Sequence, residues 1–241
     1  MKSKTPKLKV ALTLAILAGF TVSSQAAVTV NFGETVPTSN IITSYQPASL
    51  DALTWLYTPD THRLVAQSFV TPADSSYLVS AITMQLNGAV GQSFSAPSSF
   101  TIGFYRLTGP GENPAAGTLL ATQAGSMQPT TAEAPALSYL RFNLDAPLVL
   151  EAGASYGYVL SFDSQATYNS LLLAVSSSAP DFNGTRAWTQ TDGGNWSNVG
   201  ETYVYYIEGT AVPEPGAIAL LGLAGVVVLA VRRKVAAGNK A

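Results

Sequence analysis

The chain has 241 residues, a formal net charge of −2 and no cysteine, which excludes thiolate catalysis, disulfides and cysteine-based zinc sites. The weak overall charge hides a division: Ala27 to Ala211 hold four arginines, no lysine and thirteen acids, a net of −9. A body so acidic speaks against nucleic acid and against anionic lipid, because both need a basic face.

In chain order, Lys2, Lys4, Lys7 and Lys9 flank and precede the apolar run Val10 to Phe20, and Ser24-Gln25-Ala26 is a small-x-small cleavage site. That is the pattern of a secretory signal peptide over residues 1–26, cut between Ala26 and Ala27 after passage through the Sec translocon. The apolar run is short for a membrane span, so an uncleaved anchor is the lesser reading.

Residues 27–211 read as one domain of strands. Leu78, Ile82, Met84 and Leu86 are expected to share a face. Phe100, Ile102 and Phe104 alternate with Thr101, Gly103 and Tyr105. Leu140, Phe142 and Leu144, then Tyr156, Tyr158, Leu160 and Phe162, then Tyr203, Tyr205 and Ile207 repeat the alternation. Period two means one buried face and one wet face. Further strands are expected at Val28–Phe32, Leu53–Thr58, Leu64–Val70, Leu119–Gln123, Leu171–Ser176 and Thr185–Thr191. Turn residues punctuate them: Asn87-Gly88, Gly109-Pro110-Gly111, Glu151-Ala152-Gly153 and Asp192-Gly193-Gly194-Asn195. Many short strands at this spacing predict an all-β fold, an antiparallel β-sandwich of jelly-roll-like form. About 185 residues can bury enough apolar surface to stand without a disulfide. Gly209-Thr210-Ala211 reads as a short linker to the tail.

The tail has three parts. Val212-Pro213-Glu214-Pro215 opens it. Gly216 to Val231 follows without one charged residue, and Arg232-Arg233-Lys234 closes it. Sixteen apolar residues are slightly short of the roughly 20 that span a bilayer. Val212 at one end and the long arginine stems at the other extend the reach by snorkelling. Pro215 is tolerated in the first turn of the helix expected over residues 216–231. The cations set the orientation, with residues 235–241 as a cytoplasmic tail and the body outside. A buried core helix is the competing reading, but such a helix rarely ends in three consecutive cations.

Val212-Pro213-Glu214-Pro215, the apolar run and Arg232-Arg233-Lys234 together resemble the tripartite PEP-CTERM sorting signal of Gram-negative bacteria. The resemblance covers about the last 30 residues, in order and spacing, and departs from the family in carrying seven further residues after the cations. It implies recognition by an exosortase, an integral-membrane, transpeptidase-like enzyme that cuts near the Pro-Glu-Pro motif. The C-terminal helix would hold the protein in the inner membrane until that cut, after which it passes to the cell surface or extracellular matrix. The catalytic residues of that step belong to the partner. Family members often accompany exopolysaccharide production. In the body, Ala66-Gln67-Ser68-Phe69-Val70, Phe142-Asn143-Leu144 and Leu150-Glu151-Ala152-Gly153 resemble exported β-sandwich domains, a likeness that carries no activity.

Within the body, reaction chemistry has little to stand on. His62 is the lone histidine. With Asp60 and a distant serine it makes a hydrolase triad only on paper, and no Gly-x-Ser-x-Gly elbow accompanies it. One histidine cannot supply a zinc site alone. Thirteen acids permit a glycosidase pairing, yet most sit where turns favour Asp. Asp181, Asp192 and Asn195 have a composition that suits calcium, but turn residues are the plainer account. No catalytic residue, metal ligand or cofactor is therefore assigned, and the chain reads as a non-enzymatic envelope protein. The alternative is a carbohydrate-binding module for exopolysaccharide, using Trp196 and Trp188 as stacking rings. The ordinary reading places Trp188 and alternate tyrosines in the core. A secreted hydrolase is the third reading.

Overall fold

The alternating segments form strands that bury one side. The computed structural model describes residues 27–47, 50–57, 60–87, 93–94, 98–127, 138–163, 169–176 and 184–212. The signal peptide expected over residues 1–26 and the helix expected over 216–231 lie outside them. Among the described residues, no helix is long and apolar enough to cross a membrane.

The described residues form fifteen strands in chain order: β1 Thr29–Glu34, β2 Ile41–Tyr45, β3 Asp51–Tyr57, β4 His62–Val70, β5 Ser76–Gln85, β6 Ser93–Phe94, β7 Ser98–Arg106, β8 Thr118–Met127, β9 Tyr139–Leu150, β10 Ser155–Phe162, β11 Asn169–Ser176, β12 Arg186–Thr191, β13 Ser197–Asn198, β14 Thr202–Tyr203 and β15 Tyr205–Val212. Paired strands run antiparallel throughout. One sheet has the order β1-β9-β5-β15-β2. The larger has the order β14-β11-β3-β4-β10-β7-β8, with the β12–β13 hairpin added beside β4 and β6 beside β11.

The two sheets face each other over a shared aromatic core. Trp55 on β3 is fully buried and stacks on Phe162 of β10, ring centroids 4.0 Å apart. It also meets Phe142, on β9 of the opposite sheet, at 6.3 Å. Phe69 on β4 lies 6.5 Å from Tyr205 on β15. Two antiparallel sheets enclosing one apolar layer are a sandwich-like arrangement. One open side is stitched at the β8 edge. The Gln123 amide donates to the Ala146 carbonyl at 2.7 Å and accepts from the Asp145 N–H at 3.1 Å. Nearby, the Val28 N–H donates to the Ala124 carbonyl at 2.8 Å. These bonds occupy backbone groups that an edge strand would otherwise leave unpaired.

Two sequence expectations are corrected. Leu78 does not share a face with Ile82, Met84 and Leu86. The register of β5 against β9 shifts between Val79 and Ala81. That bulge passes the buried role from Tyr77 and Val79 to Ile82 and Met84, because one extra residue turns a period-two pattern over. Gly209-Thr210-Ala211 is not a linker either. These residues belong to β15, where Gly209 pairs with Val79 and Val212 with Ser76.

Candidate functional site

The tail motif leaves the body at the end of an internal strand. β15 lies between β5 and β2. Val212, the first residue of the sorting tetrapeptide, is its last paired residue. Proline has no backbone N–H to offer a ladder, so a Pro at position 213 is chemically suited to stop the pairing there. Pro213, Glu214, Pro215 and the cluster Arg232, Arg233 and Lys234 lie outside the described residues. Ala26 lies outside them as well. Ala27 is exposed, and Val28 next to it is buried.

On the outer face of the five-stranded sheet, polar groups close on themselves. The Glu208 carboxylate accepts from Arg141 Nε at 3.1 Å, from Arg141 Nη2 at 2.9 Å and from the Thr83 hydroxyl at 2.5 Å. The Glu208 side chain is 7% exposed and that of Arg141 34%. A forked guanidinium and a hydroxyl satisfy a carboxylate that would otherwise be costly to bury. Thr35, Val36, Pro37 and Thr38 border a cavity of about 200 Å³ over this pair. The carboxylate is thus engaged by groups of its own sheet. Nothing local in the sequence links Thr83, Arg141 and Glu208; only strand register brings them together.

His62 opens β4 on the outer face of the larger sheet. Its backbone N–H donates to the Asp192 carboxylate at 2.6 Å, and the Asp192 N–H returns a bond to the His62 carbonyl at 2.8 Å. Asp192 has φ of 52°, the left-handed region a tight turn needs. Its carboxylate therefore serves the turn. Ser161 Oγ sits 3.4 Å from His62 Nε2 and donates to the Phe162 carbonyl at 3.2 Å. The former distance is long for an O–H···N bond. Burial lowers the His62 pKa from its ordinary value, partly opposed by the Phe162 carbonyl and by the charges of Asp192 and Asp163. Asn195 is exposed, and Asp181 lies outside the described residues. No group of three or more metal-ligating His or acidic side chains occurs among the described residues.

The late aromatic residues divide. Tyr203 and Tyr205 are buried, as the ordinary reading of alternate tyrosines expects, and Tyr206 beside them is buried as well. Trp188 is not in the core. Its neighbour Ala187 takes the inward position, and Trp188 stands half-buried on the outer face, paired with Ala66. Trp196 is half-buried in the β12–β13 hairpin. Ser197 pairs with Thr189 and Asn198 with Trp188, so strand alternation puts Trp196 on the side of Trp188. Tyr105 stands half-buried on that same outer face, a position the sequence reading did not single out. Its signal was present: an outward aromatic in an alternating strand, two residues after a glycine.

Residues 211–234 match the family described as the PEP-CTERM protein-sorting motif. No curated protein matches the chain. Among solved structures, the chain is similar to the cysteine protease and lectin-like domains of Cwp84, a surface layer associated protein of Clostridium difficile. The identity is 12% and the TM-score 0.40, over 62% of this chain and 32% of that one. The chain thus spans about a third of the length of that structure. The motif match begins at residue 211, inside β15. The chain therefore carries a PEP-CTERM protein-sorting motif, the mark of exosortase-dependent sorting, fused without a spacer to an all-β antiparallel body.

Proposed function

We propose that this protein is a non-enzymatic component of the cell envelope or extracellular matrix, a β-sandwich body that is exported and then sorted to the surface through its tail. The observation that carries this reading is the motif match at residues 211–234, directly continuous with β15. The signal-peptide pattern at residues 1–26 supports it from the other end, since basic residues on both flanks place the body outside. The apolar run 216–231 holds the chain in the inner membrane first. An exosortase then cuts near Pro213-Glu214-Pro215 and releases the body to the surface or matrix. Replacement of Pro213, Glu214 and Pro215 by alanine leaves export intact and blocks that cut. The full-length form then accumulates in the inner-membrane fraction. Intact-mass analysis and cell fractionation check this, and an unchanged mass and location of the mature protein would sink the reading.

A further inference from the structure

Strands β12, β4, β10 and β7 carry one continuous row on the outer face of the larger sheet. Trp188 pairs with Ala66, Ala66 with Val159 and Val159 with Gly103. Phe69, Tyr158 and Phe104 point into the core from three of these strands, so this row points away from it. The row is a floor of short side chains with one large ring at its end. Ala66 exposes none of its surface. The Trp188 indole keeps part of its surface in solvent while its Nε1 is sealed off with no hydrogen-bond partner. A ring that hides its N–H yet stays half-exposed shows carbon rather than its polar atom to solvent.

A second ring, that of Tyr105, stands on the same face. A Cβ on Gly103 would stand 2.9 Å from Tyr105 Cε2 and 3.1 Å from its hydroxyl oxygen. The Tyr105 ring therefore rests directly on the Gly103 backbone, an approach only glycine allows. The two anchor points, Trp188 and Gly103, are three strand spacings apart, about 14 Å. Leu119, 53% exposed, pairs with Tyr105 and prolongs the apolar strip. Half-buried Gln190, Ser161 and Thr101 border it on the same face. No carboxylate stands on these strands at the positions level with Arg186, Trp188 or Gln190, although the body carries thirteen acids.

We propose that this face binds a polysaccharide, stacking one sugar unit on Trp188 and another on Tyr105. A pyranose offers an apolar C–H face to a flat ring and hydroxyls at its edge to amides and hydroxyls. The spacing selects a chain over a free sugar, because each ring meets a different unit. Arg186 is the only guanidinium in these rows, too little charge for nucleic acid. Both rings lie on the sheet face, away from the free strand edges by which an extended peptide would add. The reading does not depend on the tail, so sorting and binding fail separately.

The test is affinity electrophoresis of the purified full chain in non-ionic detergent. Native gels are cast with hydroxyethylcellulose, xylan, galactomannan or alginate. At least one polysaccharide retards the chain. Trp188→Ala weakens that retardation about tenfold and Tyr105→Ala several-fold, the loss of one stacking contact each. Trp188→Phe retains most of the binding, and Val149→Ser, an exposed apolar site on the other sheet, leaves it unchanged. Tyr105→Ala keeps the test decisive if Trp188→Ala fails to fold. Absence of retardation in every gel, or wild-type retardation of both ring variants, overturns the proposal.

Discussion

On the outer face of the five-stranded sheet, Glu208, Arg141 and Thr83 bond one another beneath the segment Thr35 to Thr38. On the outer face of the larger sheet, Trp188 stands beside Ala66 and Tyr105 rests on Gly103, both half-buried. Both faces look away from one aromatic core. The first pairs its buried carboxylate with a guanidinium and a hydroxyl of its own sheet, as buried charge requires. The second keeps parts of two aromatic rings and the exposed Leu119 at the solvent boundary. The first face is held by its own bonds, and the second is the one the binding proposal rests on.

The difference can be broken from the inside first. Trp55→Ala empties a site that stacks on Phe162 and touches both sheets. It should cost about 4 kcal/mol, read by chemical denaturation. Trp188→Ala, with only a half-buried ring, should cost under about 1.5 kcal/mol. Equal losses would mean that Trp188 is a packing residue after all. Next comes the closed face. Glu208→Ala leaves the Arg141 guanidinium without its carboxylate and should cost about 2 to 3 kcal/mol, less than a fully buried pair because Arg141 is about a third exposed. A loss near zero would show that the pair is solvated and the face not closed.

The smallest effect lies at the margin of the open face, at His62. Its pKa is lowered in the folded state, first by burial, so folding favours the neutral ring over the charged one. Stability is full above the unfolded value of 6.5 and declines as pH falls through that value toward the folded one. His62→Gln removes the titration. Its melting temperature should fall less than that of the wild type between about pH 7.5 and about pH 5.5, by a margin of about 2 °C. Identical falls would place the pH sensitivity elsewhere.

Strands such as Phe100 to Arg106 and Tyr156 to Phe162 are legible in the sequence because burying one side of a sheet imposes alternation on each segment by itself. Ile41–Tyr45 escapes that reading. Ile42 and Tyr45 are its buried members, and its register against β15 shifts between Ile207 and Glu208, so no period-two signal survives. The same physics hides the flip at Leu78. Bulges are properties of a pair of strands, and a single strand does not announce them. The tail is legible because its signal is contiguous: a tetrapeptide, a greasy run and three cations. The aromatic strip is the reverse case. Trp188 and Tyr105 are distant in the chain and meet one face only through three strand pairings. An unaided sequence reading therefore finds Trp188 by its residue type and overlooks Tyr105.

The emergence of the motif from β15 also has a mechanical meaning. Any pull on an anchored tail arrives at Val212 and runs along the axis of a strand bonded to β5 from Tyr205 to Val212 and to β2 from Tyr205 to Glu208. Antiparallel ladder bonds lie perpendicular to that axis. The load is therefore borne in shear by many bonds together, and a tether attached here resists drag without unzipping the domain it holds.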